Sequence, residues 1–152
     1  MLMQIKFADL TIKFLERVCQ IEKQCFEQDA FTKQQLACLI TNYNTIGLTA
    51  EINGEIVGFV VARINIRRAI TFGHILTVNV APAYRRKGIA QKLLQKIEIL
   101  FKERGINECR LEVRETNIAA LNLYKKSGYT KAGRLEKYYG TDHGLYLKKN
   151  LQ

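Results

Sequence analysis

The segment Arg85-Arg86-Lys87-Gly88-Ile89-Ala90-Gln91 sits where a strand-forming run gives way to a helical pattern. At the start of a helix the first backbone N–H groups lack intrahelical acceptors, and the helix dipole adds partial positive charge. Small Gly88 and Ala90 let a ligand approach the backbone, and three basic side chains add Coulombic attraction. Such a turn suits a phosphate or diphosphate group, although the same residues also describe an ordinary basic surface turn.

Three residues further on carry chemistry of a different kind. Glu112 lies between Leu111 and Val113 in a strand-like run and so points to the opposite face of the sheet. A carboxylate there is either an ion-pair partner of Arg110 or Arg114, or a general base. Asn117 opens a helical segment, where it fits an N-cap. Tyr124 follows almost two turns later on the same helical face, as a buried packing residue or as a proton donor.

A scaffold must bring these residues together. Gln4–Phe7 reads as a short first strand, and Ile12, Leu15, Val18, Cys19 and Phe26 recur at helical spacing through a long amphipathic helix. Thr32 and Gln35 form a capping-box pattern for a second helix carrying Leu36, Leu39 and Ile40, with Phe31 just before it. Ile46–Ile52 and Glu55–Ile66 read as strands joined by Asn53-Gly54, the dipeptide of a type I′ hairpin. Ile70–Val80 is a further strand, ended by Ala81-Pro82. Ile89, Leu93, Leu94, Ile97, Leu100 and Phe101 mark one face of a third helix, Gly105 stops it, and Glu108–Val113 returns as a strand. A right-handed crossover makes the strands on either side of that helix parallel neighbours, within a sheet that is otherwise antiparallel. Asn117–Ser127 reads as a fourth helix closed by Gly128, and Tyr129–Leu135 and Leu145–Leu151 as closing strands. The fold class is α+β with a mixed sheet.

The composition sets bounds on partners. A length of 152 residues with 47% hydrophobic residues and a single proline describes one packed domain over residues 1–152. The chain lacks an apolar run of membrane-spanning length and a signal-type N-terminus, so a soluble cytoplasmic protein without membrane association is expected. Cys19, Cys25, Cys38 and Cys109 form no C-x-x-C pair and only His74 and His143 add imidazoles, which predicts reduced core cysteines and no metal. The net charge of +10 attracts anions, whether RNA, an acidic protein or a phosphorylated cofactor, but no RNA-binding motif accompanies it and no specific nucleic acid is predicted.

Taken together, Val80-Ala81-Pro82, Arg85 to Ala90 as R-x-x-G-x-A, Arg114 to Ala120 as R-x-x-N-x-x-A, and Leu123 to Tyr129 as L-Y-x-x-x-G-Y resemble the GNAT acetyltransferase superfamily. Within it, Gly73-His74-Ile75, Leu111–Arg114 and Tyr138-Tyr139 resemble protein Nα-acetyltransferases, including the bacterial ribosomal-protein-alanine N-acetyltransferases and the archaeal and eukaryotic catalytic subunits. The resemblance implies a twisted sheet of six to seven strands flanked by about four helices, with strands four and five parallel and splayed. It implies acetyl-CoA as cosubstrate, its pantetheine arm on the backbone of Val78, Asn79 and Val80, its diphosphate at Arg85 to Gln91, and further contacts from Asn117 and Tyr124. Glu112 then becomes the general base and Tyr124 the acid that protonates the departing thiolate. Phe31, Tyr138 and Tyr139 become the grip on an acceptor peptide.

The acceptor follows from amine chemistry. An α-amino group of pKa near 8 is about one-tenth neutral at pH 7, whereas lysine is neutral to less than about a part in a thousand. A protein or peptide N-terminus is therefore the expected acceptor, with ribosome association and a monomer or weak dimer as further implications of the resemblance. A small-molecule amine or an internal lysine is the alternative acceptor. A non-catalytic module that binds acyl-CoA or RNA is the reading from a different class.

Overall fold

The computed structural model describes residues 4–26 and 29–152. β1 (Lys6–Asp9) precedes a 3-10 turn at Ile12–Phe14 and α1 (Leu15–Cys25). α2 (Lys33–Thr41) leads into β2 (Thr45–Ile52), β3 (Glu55–Arg67) and β4 (Ile70–Val80). α3 (Ile89–Glu103), β5 (Glu108–Arg114), α4 (Ile118–Lys126), β6 (Thr130–Tyr139) and β7 (Asp142–Asn150) follow. The strands form one seven-stranded sheet in the order β1-β2-β3-β4-β5-β7-β6. Among the described residues only β4 and β5 pair in parallel, as the crossover through α3 requires.

Local chemistry explains most of the boundaries. Asn53 and Gly54 both have positive φ, 51° and 81°, the backbone a type I′ turn needs. The Thr32 hydroxyl accepts from the Gln35 N–H at 3.1 Å while the Gln35 side chain accepts from the Thr32 N–H at 2.9 Å, so the capping box is complete. Other boundaries differ from expectation. The first strand lies two residues later, at Lys6–Asp9, because its register is fixed by pairing to Leu48–Glu51 and not by its own pattern. Ile12 is half exposed in a 3-10 turn, and Phe26 lies beyond the end of α1, so the apolar repeat overstates that helix at both ends. β6 extends to Tyr139 and β7 begins at Asp142 because Tyr139 and Asp142 pair directly, continuing a mostly exposed hairpin past its last apolar alternation.

Two apolar layers grip the sheet. On one face, Ile89, Leu93, Leu94, Ile97 and Phe101 of α3 are fully or almost fully buried against the strands. Burial of each such side chain stabilises the fold by about 1.5–3 kcal/mol. On the other face, Val18 and Ile21 of α1 and Leu36 of α2 pack with Phe59 and Val61. A Cβ built on Gly73 would stand 2.5 Å from the buried ring of Phe101, so glycine lets α3 lie close on β4. Cys19 and Cys109 are buried as expected, but Cys25 is half-buried and Cys38 is exposed, on the side of α2 away from Leu36.

One irregularity shapes the rest of the molecule. β4 and β5 are joined only at Gly73–Cys109 and His74–Arg110. Beyond those pairs Ile75–Val80 and Leu111–Arg114 separate, and Leu76 forms a bulge where the β3–β4 register steps from Val61–Thr77 to Ala62–Ile75. The sheet is splayed at its centre.

Candidate active site

A cleft of about 1190 Å³ opens where β4 and β5 part. Its walls are the ends of both strands, the turn before α3, the first turns of α4, and side chains from α1. Val78, Asn79 and Val80 line it, while the two valines also join the core, so core packing does not keep them out of the cleft. Alternate residues of Ile75–Val80 turn backbone N–H and C=O groups into the gap, where β5 no longer pairs with them. The Val80 carbonyl accepts from Arg85 Nε at 3.3 Å and lies 3.5 Å from the Cys25 thiol.

The basic turn has the features of an anion cradle. Among the described residues, the backbone N–H groups of Arg86 through Gln91 make no intramolecular hydrogen bond. Gly88 is the N-cap of α3 in the left-handed region, at φ 76°, and a Cβ there would meet nothing within 4 Å. Glycine is needed there for its conformation, and the open space in front of it is what a ligand can fill. Arg86 also has positive φ, 63°, the left-handed conformation from which anion-binding backbone nests are built. Arg85, Arg86, Gly88, Ile89, Ala90 and Gln91 line the cleft. Lys87 is exposed outside that lining, leaving its ammonium to act only at longer range.

Glu112 points into the cleft, away from Leu111 and Val113. Its partner is neither flanking arginine. Both carboxylate oxygens lie 3.0 Å from His74 Nε2, and Asn65 Nδ2 lies 3.1 Å from His74 Nδ1. With the Asn65 amide donating to Nδ1, the imidazole proton sits on Nε2 and is donated to Glu112. Arg110 instead donates to Glu108 and Tyr146. Asn117 is the N-cap of α4, its Oδ1 accepting from the Ala120 N–H at 3.1 Å, and it lines the cleft. Tyr124 is 8% exposed, packs edge-on against Tyr129 and also lines the cleft. Burial, followed by the nearby Tyr139, pushes its hydroxyl well above the ordinary tyrosine pKa, so it keeps its proton.

The far end of the cleft is aromatic and charged. Phe31, Tyr138 and Tyr139 line it, the tyrosines edge-to-face at 4.9 Å between ring centroids. Tyr138 is half exposed. Burial raises its pKa, and the nearby Glu112 carboxylate adds to the rise. Arg114 reaches Asp29 and Asp142 beside them.

Residues 15–129 match the sequence profile of the Acetyltransferase (GNAT) family. The chain belongs to the GNAT acetyltransferase family. An N-alpha-acetyltransferase of Sulfurisphaera tokodaii is 36% identical over 117 residues, covering 71% of this chain and 70% of that protein. The ribosomal-protein-S18-alanine N-acetyltransferase of Escherichia coli superposes with a TM-score of 0.86 at 20% identity, over 98% of this chain and 95% of that one. Arabidopsis thaliana NAA60, solved in complex with acetyl-CoA, gives 0.86 at 21% identity over 97% and 98%. At those identities the two structures establish the shared fold.

Two features of this acetyltransferase's cleft escape sequence reasoning. The assignment of His74 and Asn65 to Glu112 is one, because their meeting depends on the short parallel pairing of β4 with β5 and no local pattern encodes it. Glu22 is the other. It is 1% exposed and accepts from the Phe31 N–H at 3.0 Å, Thr77 Oγ1 at 2.8 Å and Asn79 Nδ2 at 2.8 Å. Desolvation raises its pKa against the lowering effect of those three donors. A signal existed, since Glu22 stands one turn from Val18 and Cys19, a carboxylate within the apolar stripe of α1. Asn79, expected to serve through its backbone, also holds this carboxylate with its side chain.

Proposed function

We propose that this chain transfers the acetyl group of acetyl-CoA to the α-amino group of a protein or peptide N-terminus by direct attack in a ternary complex. The observation that carries the reading is the chain Asn65–His74–Glu112, which ends in the same cleft as Tyr124, between an anion cradle and an aromatic mouth. The N-alpha-acetyltransferase named among its relatives supports the choice of amine.

Acetyl-CoA, when bound, supplies a thioester carbonyl activated toward an amine. The N–H groups of Arg86 to Gln91 would hold its diphosphate, with Arg85 and Arg86 adding charge. The open edge at Val78, Asn79 and Val80 would pair with its pantetheine amides as an added strand does, through the backbone groups not already taken by β3 or Arg85. Asn117 caps α4 through its oxygen and offers the remaining amide N–H groups to the cofactor. Glu112 accepts a proton from the acceptor ammonium, steadied by the Nε2–H of His74. Backbone donors near Val78–Val80 would polarise the acetyl carbonyl, and Tyr124, protonated throughout the physiological range, would give its proton to the departing sulfur and be restored by the second proton that the new amide nitrogen sheds. Phe31, Tyr138 and Tyr139 hold the first residues of the acceptor. The reading extends to a cytoplasmic enzyme of one domain over residues 1–152, monomeric or weakly dimeric, that meets new N-termini at the ribosome.

The test uses one peptide beginning with alanine or serine, in free and N-terminally blocked forms, each with the same internal lysine. Mass spectrometry should place the acetyl group on the free α-amine, with little labelling of the blocked form. Equal or greater lysine labelling would reject the α-amine assignment, and faster turnover of polyamines or aminoglycosides would replace it with a small-molecule acceptor.

A further inference from the structure

Arg114 follows Glu112 by two residues along β5 and so emerges on the same face of the sheet. Its guanidinium is shared by three segments. Nε and Nη2 donate to Asp29 Oδ2 at 2.9 Å and 2.6 Å, Nη1 donates to Asp142, and the group lies over the Tyr139 ring, 4.8 Å from its centroid. Asp29 stands two residues before Phe31, in the connection from α1 to α2. Asp142 opens β7 directly opposite Tyr139. Asp29, Phe31, Arg114, Tyr138 and Tyr139 all line the same end of the cleft.

The geometry points to Arg114 as a positioning residue for the acceptor, a clasp that draws the segment Asp29–Phe31 and the β6–β7 hairpin together across the mouth of the cleft. It sets the distance between Phe31 on one side and Tyr139 on the other, and leaves the cofactor half untouched. This rests on the reading that the aromatic end receives the acceptor, but not on which amine that acceptor carries. Arginine suits the task because one planar fork can bond two carboxylates from different directions while stacking on a ring, which a lysine ammonium cannot. One guanidinium against two carboxylates also leaves this triad with one negative charge in excess, locally favourable to an arriving ammonium group.

A purely structural role is weighed against this by exposure. The side chains of Arg114, Asp29 and Asp142 are 21%, 34% and 39% exposed, and ion pairs so open to solvent add little to global stability. Loss of the clasp therefore separates acceptor binding from folding.

The full-length chain is compared with Arg114→Gln, Arg114→Lys and the pair Asp29→Asn with Asp142→Asn. Arg114→Gln is expected to raise the acceptor-peptide KM about tenfold or more through misplaced gripping groups, with saturated kcat, acetyl-CoA affinity and Tm nearly unchanged. Arg114→Lys should fall between wild type and glutamine. Combining Arg114→Gln with the aspartate changes should add little to either alone, as expected of groups in one network. An unchanged peptide KM, an equal loss of acetyl-CoA affinity, or fully additive effects would overturn the clasp. Amide hydrogen exchange makes the result independent of substrate identity. Arg114→Gln should speed exchange across Asp29–Thr32 and Leu135–Gly144 while leaving β4 unchanged, and unaltered exchange in those two segments would overturn the clasp even if peptides proved not to be substrates.

Discussion

Glu112→Gln removes a negative charge from the cleft at nearly constant volume. The amide retains an oxygen that can accept the His74 Nε2–H now found 3.0 Å from the carboxylate, so the side chain can stay in place. Its hydrogen bond loses only charge assistance, about 1 kcal/mol. Catalysis should lose far more. A positioned general base contributes about 10²–10⁴ in rate, or about 3–5 kcal/mol of barrier at 1.36 kcal/mol per decade. The deficit should also depend on pH, because the variant can use only amines that are already neutral. For an α-amine of pKa near 8 that fraction is about 3% at pH 6.5 and about 90% at pH 9, a change of about thirtyfold. The assay is kcat/KM for a free N-terminal peptide at both pH values with saturating acetyl-CoA, wild type beside variant. A deficit that shrinks by more than about tenfold between them supports proton removal by Glu112. Near-wild-type activity at pH 6.5, or a deficit constant with pH, would refute the assignment.

Gly88→Glu forces a side chain into the left-handed region at φ 76° and places a carboxylate before the free N–H groups of the turn, so acetyl-CoA affinity by calorimetry should fall more than about tenfold. Unchanged affinity in a folded variant would move the diphosphate elsewhere. Tyr124→Phe keeps the buried ring and deletes its proton, so kcat should drop by about 10²–10⁴ with little change in cofactor affinity. Wild-type turnover would leave Tyr124 a packing residue. Glu22 has a pKa raised by burial, so its contribution to stability is complete below the unfolded carboxylate pKa, near 4.3, and declines as pH rises through the folded value. Glu22→Gln has no such titration, and denaturant unfolding should show the stability difference shifting toward the variant between pH 4 and pH 7. A difference that stays flat would mean that the three donors around Glu22 fully offset its desolvation.

Much of this molecule is legible in the chain because its signals are local. The Asn53-Gly54 turn, the Thr32–Gln35 box, the apolar face of α3 and the Gly88 turn each rest on residues within a few positions of one another, and each appears where its chemistry demands. Contacts made by register are less legible. Strand alternation aims Glu112 into the cleft, yet its partner comes from β4, 38 residues away, through a parallel pairing only two residues long. The far reach of β6 was hidden for a similar reason. Its outer half is exposed on alternate and consecutive positions alike, so only the pairing of Tyr139 with Asp142 shows that the hairpin continues toward the cleft. Glu22 lay between these extremes, its spacing visible but its three donors supplied by distant segments.

The short pairing of β4 with β5 has a consequence for the protein before it meets its cofactor. A sheet normally exposes unpaired backbone only at its outer strands, where short length or charge discourages other chains from adding on. Here a second pair of such borders lies in the middle, along Ile75–Val80 and Leu111–Arg114. Any extended segment of suitable width could lodge there, including one from a neighbouring unfolded chain. A ligand that fills the seam removes that opening, and by binding only the native state it adds stability in proportion to the logarithm of its concentration over Kd. Acetyl-CoA would then act as a chaperone for its own enzyme. Heating should produce less aggregate in its presence than the rise in Tm alone accounts for.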